Sequence, residues 1–157
     1  MTGSADLTNN WWVFPGFELE LVAKGLDLPV NISFVPNPSG GDDDPLLYVT
    51  ELYGQVKAIT NNWQVHTYAE GLLNFDPGYK FPGTGENGLI GICVEPESGD
   101  LFLSMNYLDS GKPMSRVIRT KSEDGIKMDS AQTIIEGIPS VKAAHQIQAL
   151  KTILRFL

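Results

Sequence analysis

Three side chains in this sequence combine a residue type and a position that could do chemistry: Glu86, Asn87 and His145. An imidazole that is neutral near physiological pH suits a general base that takes a proton from a hydroxyl group. Polar groups that converge at a concave mouth are the default location of a ligand site. Each residue also has a plainer reading. The His145 ring can hydrogen-bond a backbone carbonyl beside a strand, and Glu86 can be a solvated loop carboxylate. The choice between the readings turns on whether the fold brings the three together.

The elements that must position them are short strands. Residues 85–107, GENGLIGICVEPESGDLFLSMNY, read as a loop carrying Glu86 and Asn87, an apolar strand over 89–94, a turn through Glu97-Ser98-Gly99-Asp100 and a second strand over 101–107. Gly91 inside the first of these strands marks a bulge or a close approach to the backbone. Strands are also expected over 17–23, where FELELVA alternates apolar and acidic residues with period two, and over 30–35, 46–52, 55–60, 65–69, 115–120 and 131–135. Pro-, Gly- and Asn-rich turns separate them.

Two series of these strands match element by element. VNISFVP (30–36) lies over IGICVEP (90–96), LYVT (47–50) over LFLS (101–104), GQVKAI (54–59) over SRVIRT (115–120), and TYAEGLL (67–73) over TIIEGIP (133–139). Four short strands per repeat is the pattern of a β-propeller blade, which buries its faces only between neighbouring blades. The sequence therefore predicts an all-β chain that is a partial β-propeller: a closing strand at 17–23, two four-stranded blades, and the first strand of a third beginning near His145. One small sandwich of two packed sheets is the alternative. Residues 1–16 are expected to form an N-terminal extension and 17–157 an incomplete propeller domain. Two blades do not close a ring, since propellers have at least about four, and the ending KTILRFL reads as the start of a repeat that is not finished. In a propeller the loops 71–88 and 137–146 would lead to the innermost strands at one mouth of the central channel, and they hold Glu86, Asn87 and His145.

Composition narrows the partners. The net charge of −8 provides no basic field for phosphates, which argues against nucleic acid. The chain has no stretch of about 18 apolar residues and no basic start followed by an apolar run, so neither a membrane span nor a signal peptide is expected in it. Cys93 is the only cysteine and reads as a small apolar side chain. Asp42-Asp43-Asp44 lacks the spacing of a calcium loop and reads as a solvated hairpin tip. Trp11-Trp12 reads as a packing clamp or a partner contact.

In order and spacing, GLDLPVNISFVP, LLYVTELYGQVKAI, ENGLIGICVEPESGDLFLSMNY, SRVIRT and IIEGIPSVKAAHQIQ resemble the N-terminal blades of the soluble glucose/sorbosone dehydrogenase family. The resemblance covers about residues 17–150. It implies a six-bladed β-propeller that oxidises a sugar, in many members with pyrroloquinoline quinone (PQQ) and calcium, and its members are often periplasmic or secreted. By position His145 matches the family's catalytic histidine, the general base on the anomeric hydroxyl of an aldose-type sugar, with hydride passing to the quinone. Glu86 and Asn87 match the substrate mouth, although the family often has Gln where this chain has Glu86. The chain departs from the pattern at Ala144, which stands where an acidic residue often precedes the histidine. It departs again after His145, where Ile147, Gln148 and Ala149 replace the usual Gly-Arg and Gly-Pro-Asp-Gly continuation. The residues that hold PQQ and calcium in the family belong to later blades, so the resemblance implies that this chain alone is inactive. The partners it implies are a sugar and an electron acceptor. A non-catalytic propeller module that binds carbohydrate or protein is the alternative function.

Overall fold

The computed structural model describes residues 11–76, 87–140 and 149–151. These contain eight strands: β1 (Pro29–Phe34), β2 (Pro45–Glu51), β3 (Gln55–Thr60), β4 (Val65–Ala69), β5 (Leu89–Val94), β6 (Leu101–Asp109), β7 (Lys112–Lys121) and β8 (Ser130–Pro139). They form two antiparallel four-stranded meanders, β1-β2-β3-β4 and β5-β6-β7-β8, and no strand is shared between the two sheets. The chain is thus all-β, with its strands paired within each repeat, consistent with part of a propeller. The strand expected near His145 falls largely on residues outside those described.

The repeat seen in the sequence extends to the register. Val56 lies opposite Ala69 and Lys57 opposite Thr67, with Tyr68 bulged between them. In the second sheet Val117 lies opposite Ile135 and Ile118 opposite Thr133, with Ile134 bulged. These are the same positions of the repeat. The innermost strands agree too: the register slips between Pro29 and Asn31 in β1 and between Leu89 and Gly91 in β5, so the bulge anticipated at Gly91 is present. An extra residue at a fixed point of a strand adds local twist. Here it recurs in each copy as a property of the unit.

Pairing in β6 and β7 runs beyond the expected ends, as far as Asp109 opposite Lys112. The reason is local. Ser110 and Gly111 both adopt left-handed φ, 49° and 78°, and a two-residue turn of this kind matches the right-handed twist of the strands it joins.

The sheets pack face to flank like neighbouring wedges. Tyr48, Val56, Ala58, Tyr68, Ala69 and Leu72 of the first unit share one core with Leu89, Ile92, Val94, Leu101, Leu103, Met105 and Ile118 of the second. Burying a large aliphatic or aromatic side chain contributes about 1.5–3 kcal/mol, and this interface, the larger of the two apolar clusters among the described residues, is a main source of their stability. Polar latches reinforce it. The Tyr48 hydroxyl donates to the Gly125 carbonyl at 2.8 Å, the Met128 N–H donates to the Tyr68 carbonyl at 2.8 Å, and the Tyr68 and Thr120 hydroxyls are 3.0 Å apart.

Residues 17–23 do not form the expected strand. A strand needs an edge to pair with, and none of the eight described strands provides one to this segment. It lies instead on the outer face of the first sheet, where Ala23 and Leu26 pack on Leu47, Val49 and Ile59. Its end is held by the Asp27 N–H on Glu51 Oε1 (2.7 Å) and by the Leu52 N–H on the Leu28 carbonyl (3.1 Å). Trp11 and Trp12 are exposed and clamp neither sheet. The two innermost strands differ sharply in burial. Ile90, Ile92 and Val94 of β5 are 8, 6 and 4 % exposed, whereas their repeat counterparts Val30, Ile32 and Phe34 of β1 are 43, 50 and 60 % exposed. A neighbouring wedge covers the first set, and none of the described residues covers the second.

Candidate functional site

The described residues that flank the loops 71–88 and 137–146 meet at one end of the second sheet, and Asn106 is the hub. Its Oδ1 accepts from the Gly88 N–H at 3.3 Å, and its Nδ2 lies within hydrogen-bond distance of Ser115 Oγ (3.2 Å) and Ser140 Oγ (3.0 Å). The Asn106 N–H in turn donates to the Gly88 carbonyl at 3.0 Å. The end of the loop that leads into β5 and the start of the loop that leaves β8 are therefore fastened to one buried carboxamide. A buried amide of this kind is favourable only when its hydrogen-bonding groups are met, which makes the arrangement specific.

The start of the first loop is also tied down. Asn74 pairs with the Leu108 backbone in both directions, donating to its carbonyl and accepting from its N–H, each at 2.8 Å. The Arg116 guanidinium donates to the Leu72 carbonyl at 2.9 Å and lies over the Tyr107 ring, 5.4 Å from its centroid. The Tyr107 hydroxyl accepts from the Gly137 N–H at 3.0 Å. Asn74, Tyr107 and Arg116 thus join both loops to β6 and β7.

Of the three residues that the sequence proposes for chemistry, Glu86 and His145 lie outside the described residues. Asn87 is described. It is half-buried, and its Oδ1 is shielded from solvent with no hydrogen-bond partner. An unmet buried acceptor costs about 1–3 kcal/mol and suits a ligand hydroxyl that would donate to it. Arg116 Nε is likewise buried and unmet. Sequence reasoning did not single out Asn106, Arg116 or Tyr107. A signal for Asn106 was present, an amide inside the apolar run LFLSMNY, but its partners are distant in sequence.

Two features stand apart from this end. A hollow of about 380 Å³ is lined by Thr67, Tyr68, Ala69, Glu70, Lys127 and Met128, none of which belongs to the cluster around Asn106. The acidic run at 42–44 is used in the hairpin: Asp44 Oδ2 accepts from the Gly41 N–H at 2.9 Å, and Asp43 Oδ1 accepts from Asn62 Nδ2 at 3.2 Å. Among the described residues no group of three or more His, Cys, Asp or Glu is arranged to hold a metal ion. Cys93 is half-buried on β5. No helix among the described residues is long and apolar enough to cross a membrane.

The perturbed acids lie at the interface between the sheets and at turns. Burial raises the phenol of Tyr48 well above the ordinary tyrosine range, with the nearby Tyr68 and Asp124 adding to the effect. Burial also raises Tyr68, partly offset by its hydrogen bond to Thr120. Asp124 is lowered chiefly by the backbone N–H groups of Ile126 and Lys127.

Comparison with solved structures gives two glucose dehydrogenases. One superposes with a TM-score of 0.56 at 20 % identity, the other with a TM-score of 0.54 at 19 % identity, and each match covers 77 % of this chain. The chain spans about a third of the length of either, 33 %. At this identity the likeness establishes the fold, which is that of a portion of a glucose dehydrogenase. No protein-family model matches the chain. An uncharacterized protein of Archaeoglobus fulgidus is 53 % identical over 49 residues, which are 31 % of this chain and 98 % of that protein. The chain belongs to one family with that short archaeal protein, and its two sheets have the fold of part of a glucose dehydrogenase.

Proposed function

We propose that this chain is the N-terminal part of a sugar dehydrogenase of the glucose/sorbosone type, and that the end of the second sheet around Asn106 is one side of its substrate mouth. The observation that carries the reading is the joint anchoring of Gly88 and Ser140 on Asn106. It starts the stretch that leads to His145 beside Asn87, as a shared mouth requires. The fold held in common with glucose dehydrogenases supports the same assignment.

In this reading the substrate is an aldose-type sugar. His145 takes the proton of the hydroxyl being oxidised, and a general base of this kind contributes about 10²–10⁴-fold to the rate. Asn87 accepts a hydrogen bond from a neighbouring sugar hydroxyl, with Glu86 beside it. The quinone PQQ, which accepts hydride when bound, would be held together with calcium by polypeptide beyond these residues, with a separate electron acceptor as the second partner.

The test is dye reduction with aldoses in the presence of PQQ and calcium. The chain by itself is expected to give none. In a longer polypeptide that carries this stretch, His145→Ala should lower turnover by at least about 10²-fold while far-ultraviolet circular dichroism stays unchanged. Turnover within a few-fold of the parent would remove His145 from the mechanism.

A further inference from the structure

We propose that the outer edge of β8 is an association surface, on which a second copy of this chain pairs antiparallel across a two-fold axis, β8 against β8. Each sheet has two edge strands, so the described residues present four edges: β1, β4, β5 and β8. An edge strand offers backbone N–H and C=O groups on which another strand can pair, unless something takes them up.

Three of the four are engaged from within the chain. On β1 the Asn31 side chain accepts from the Ile32 N–H at 2.8 Å. On β4 the Tyr68 carbonyl accepts from the Met128 N–H at 2.8 Å, and on β5 the Ile90 carbonyl accepts from the Thr50 hydroxyl at 3.2 Å. β8 differs. Only its end is fastened, by the Gly137 N–H on the Tyr107 hydroxyl (3.0 Å) and the Ser140 N–H on the Pro113 carbonyl (3.2 Å). Over residues 130–136 the described residues give the backbone no hydrogen bond beyond its pairing with β7, and every residue of that stretch is exposed. The repeat counterpart β4 has five residues and β8 has ten, so the open edge is also the longer one.

The charge pattern selects the occupant. Residues 131–135, AQTII, carry no charge, no Gly and no Pro, a composition that favours the pairing of identical segments. A two-fold axis sets one residue of the strand opposite its own copy, and like charges placed opposite each other would be destabilising. With the axis at Gln132, Thr133 or Ile134, the flanking Asp129 and Glu136 each meet an uncharged residue of the other copy. No carboxylate then faces another. Ile134 and Ile135, 46 and 48 % exposed, lose contact with water as the strands join. The contact is isologous and uses up both open edges, so association stops at the dimer.

The test is sedimentation equilibrium of the whole chain from about 10 μM to about 1 mM, a span that captures weak association, with amide exchange on the same samples. A monomer–dimer equilibrium is expected, with exchange over 130–136 slowing as concentration rises. Each copy carries a net charge of −8, so added salt should tighten the dimer by screening. Thr133→Lys brings two ammonium groups together near the axis and should weaken the dimer at least about fivefold, and Gln132→Lys repeats the test on the other face of the strand. Ile32→Lys adds the same charge on an edge that is already engaged and should leave the dimer within about twofold. A chain that stays monomeric throughout the range, assembly beyond the dimer, protection elsewhere than 130–136, or equal weakening by the β8 and β1 variants would each overturn the proposal.

Discussion

The Leu89 N–H donates to the Leu52 carbonyl at 3.0 Å, a backbone hydrogen bond that joins the β2–β3 turn of one repeat to the start of the next. It draws the chain so close at Gly88 that a Cβ there would overlap the Leu52 carbonyl oxygen and stand 2.9 Å from Leu52 Cδ1. Gly88→Ala must push the two units apart, and the clashing atom is backbone, which yields little. The expected cost is about 2–3 kcal/mol, read as a fall in the urea midpoint. A change within about 0.5 kcal/mol would mean that the units are not held this closely.

Asn106→Ala removes the group shared by Gly88, Ser115 and Ser140. Its partners are left without their hydrogen bonds, and the expected loss is about 2 kcal/mol. Amide exchange should quicken at Gly88 while β1 to β3 keep their protection. If Gly88 exchanges at the parent rate, the hub is dispensable.

Ile92 and Ile32 occupy the same place in the two repeats but differ in burial. Ile92→Ala leaves a cavity between the sheets and should cost about 3 kcal/mol, whereas Ile32→Ala should cost under about 1 kcal/mol. Equal costs in denaturant titrations would imply that the β1 flank is covered in solution.

The raised Tyr48 phenol gives stability a sign on the alkaline side. In the unfolded chain the phenol ionises near its ordinary pKa of about 10, while burial keeps it protonated in the fold. Between those two values the unfolded state binds fewer protons, so the stabilisation present below about pH 10 is lost as pH rises through the window. Tyr48→Phe loses the hydrogen bond to Gly125, worth about 1 kcal/mol, and should flatten the fall in stability above pH 10. An unaltered alkaline slope in pH-dependent denaturation would assign that fall to other groups.

Much of the fold was legible because its signals are local. Short apolar and alternating segments located all eight strands, Gly, Pro and Asn located the turns, and Gly91 pointed to the bulge in β5, whose counterpart in β1 was not anticipated. The candidate site was less legible. Asn87 was singled out by its loop, but the groups that fasten that loop, Asn106, Arg116 and Asn74, act through backbone atoms far away in sequence. No spacing rule reports such contacts.

What the sequence determined by itself is the repeat: which residues alternate, where each strand turns, and that the two units are equivalent. Those properties depend on the pleat and on backbone dihedrals, and both are set by neighbours in the chain. Tertiary structure alone decided which equivalent residues are buried. Ile92 is covered and Ile32 bare, and 17–23, for all its strand pattern, pairs with nothing among the described strands. The physical reason is that a strand is stabilised by an edge and a face that another segment must supply.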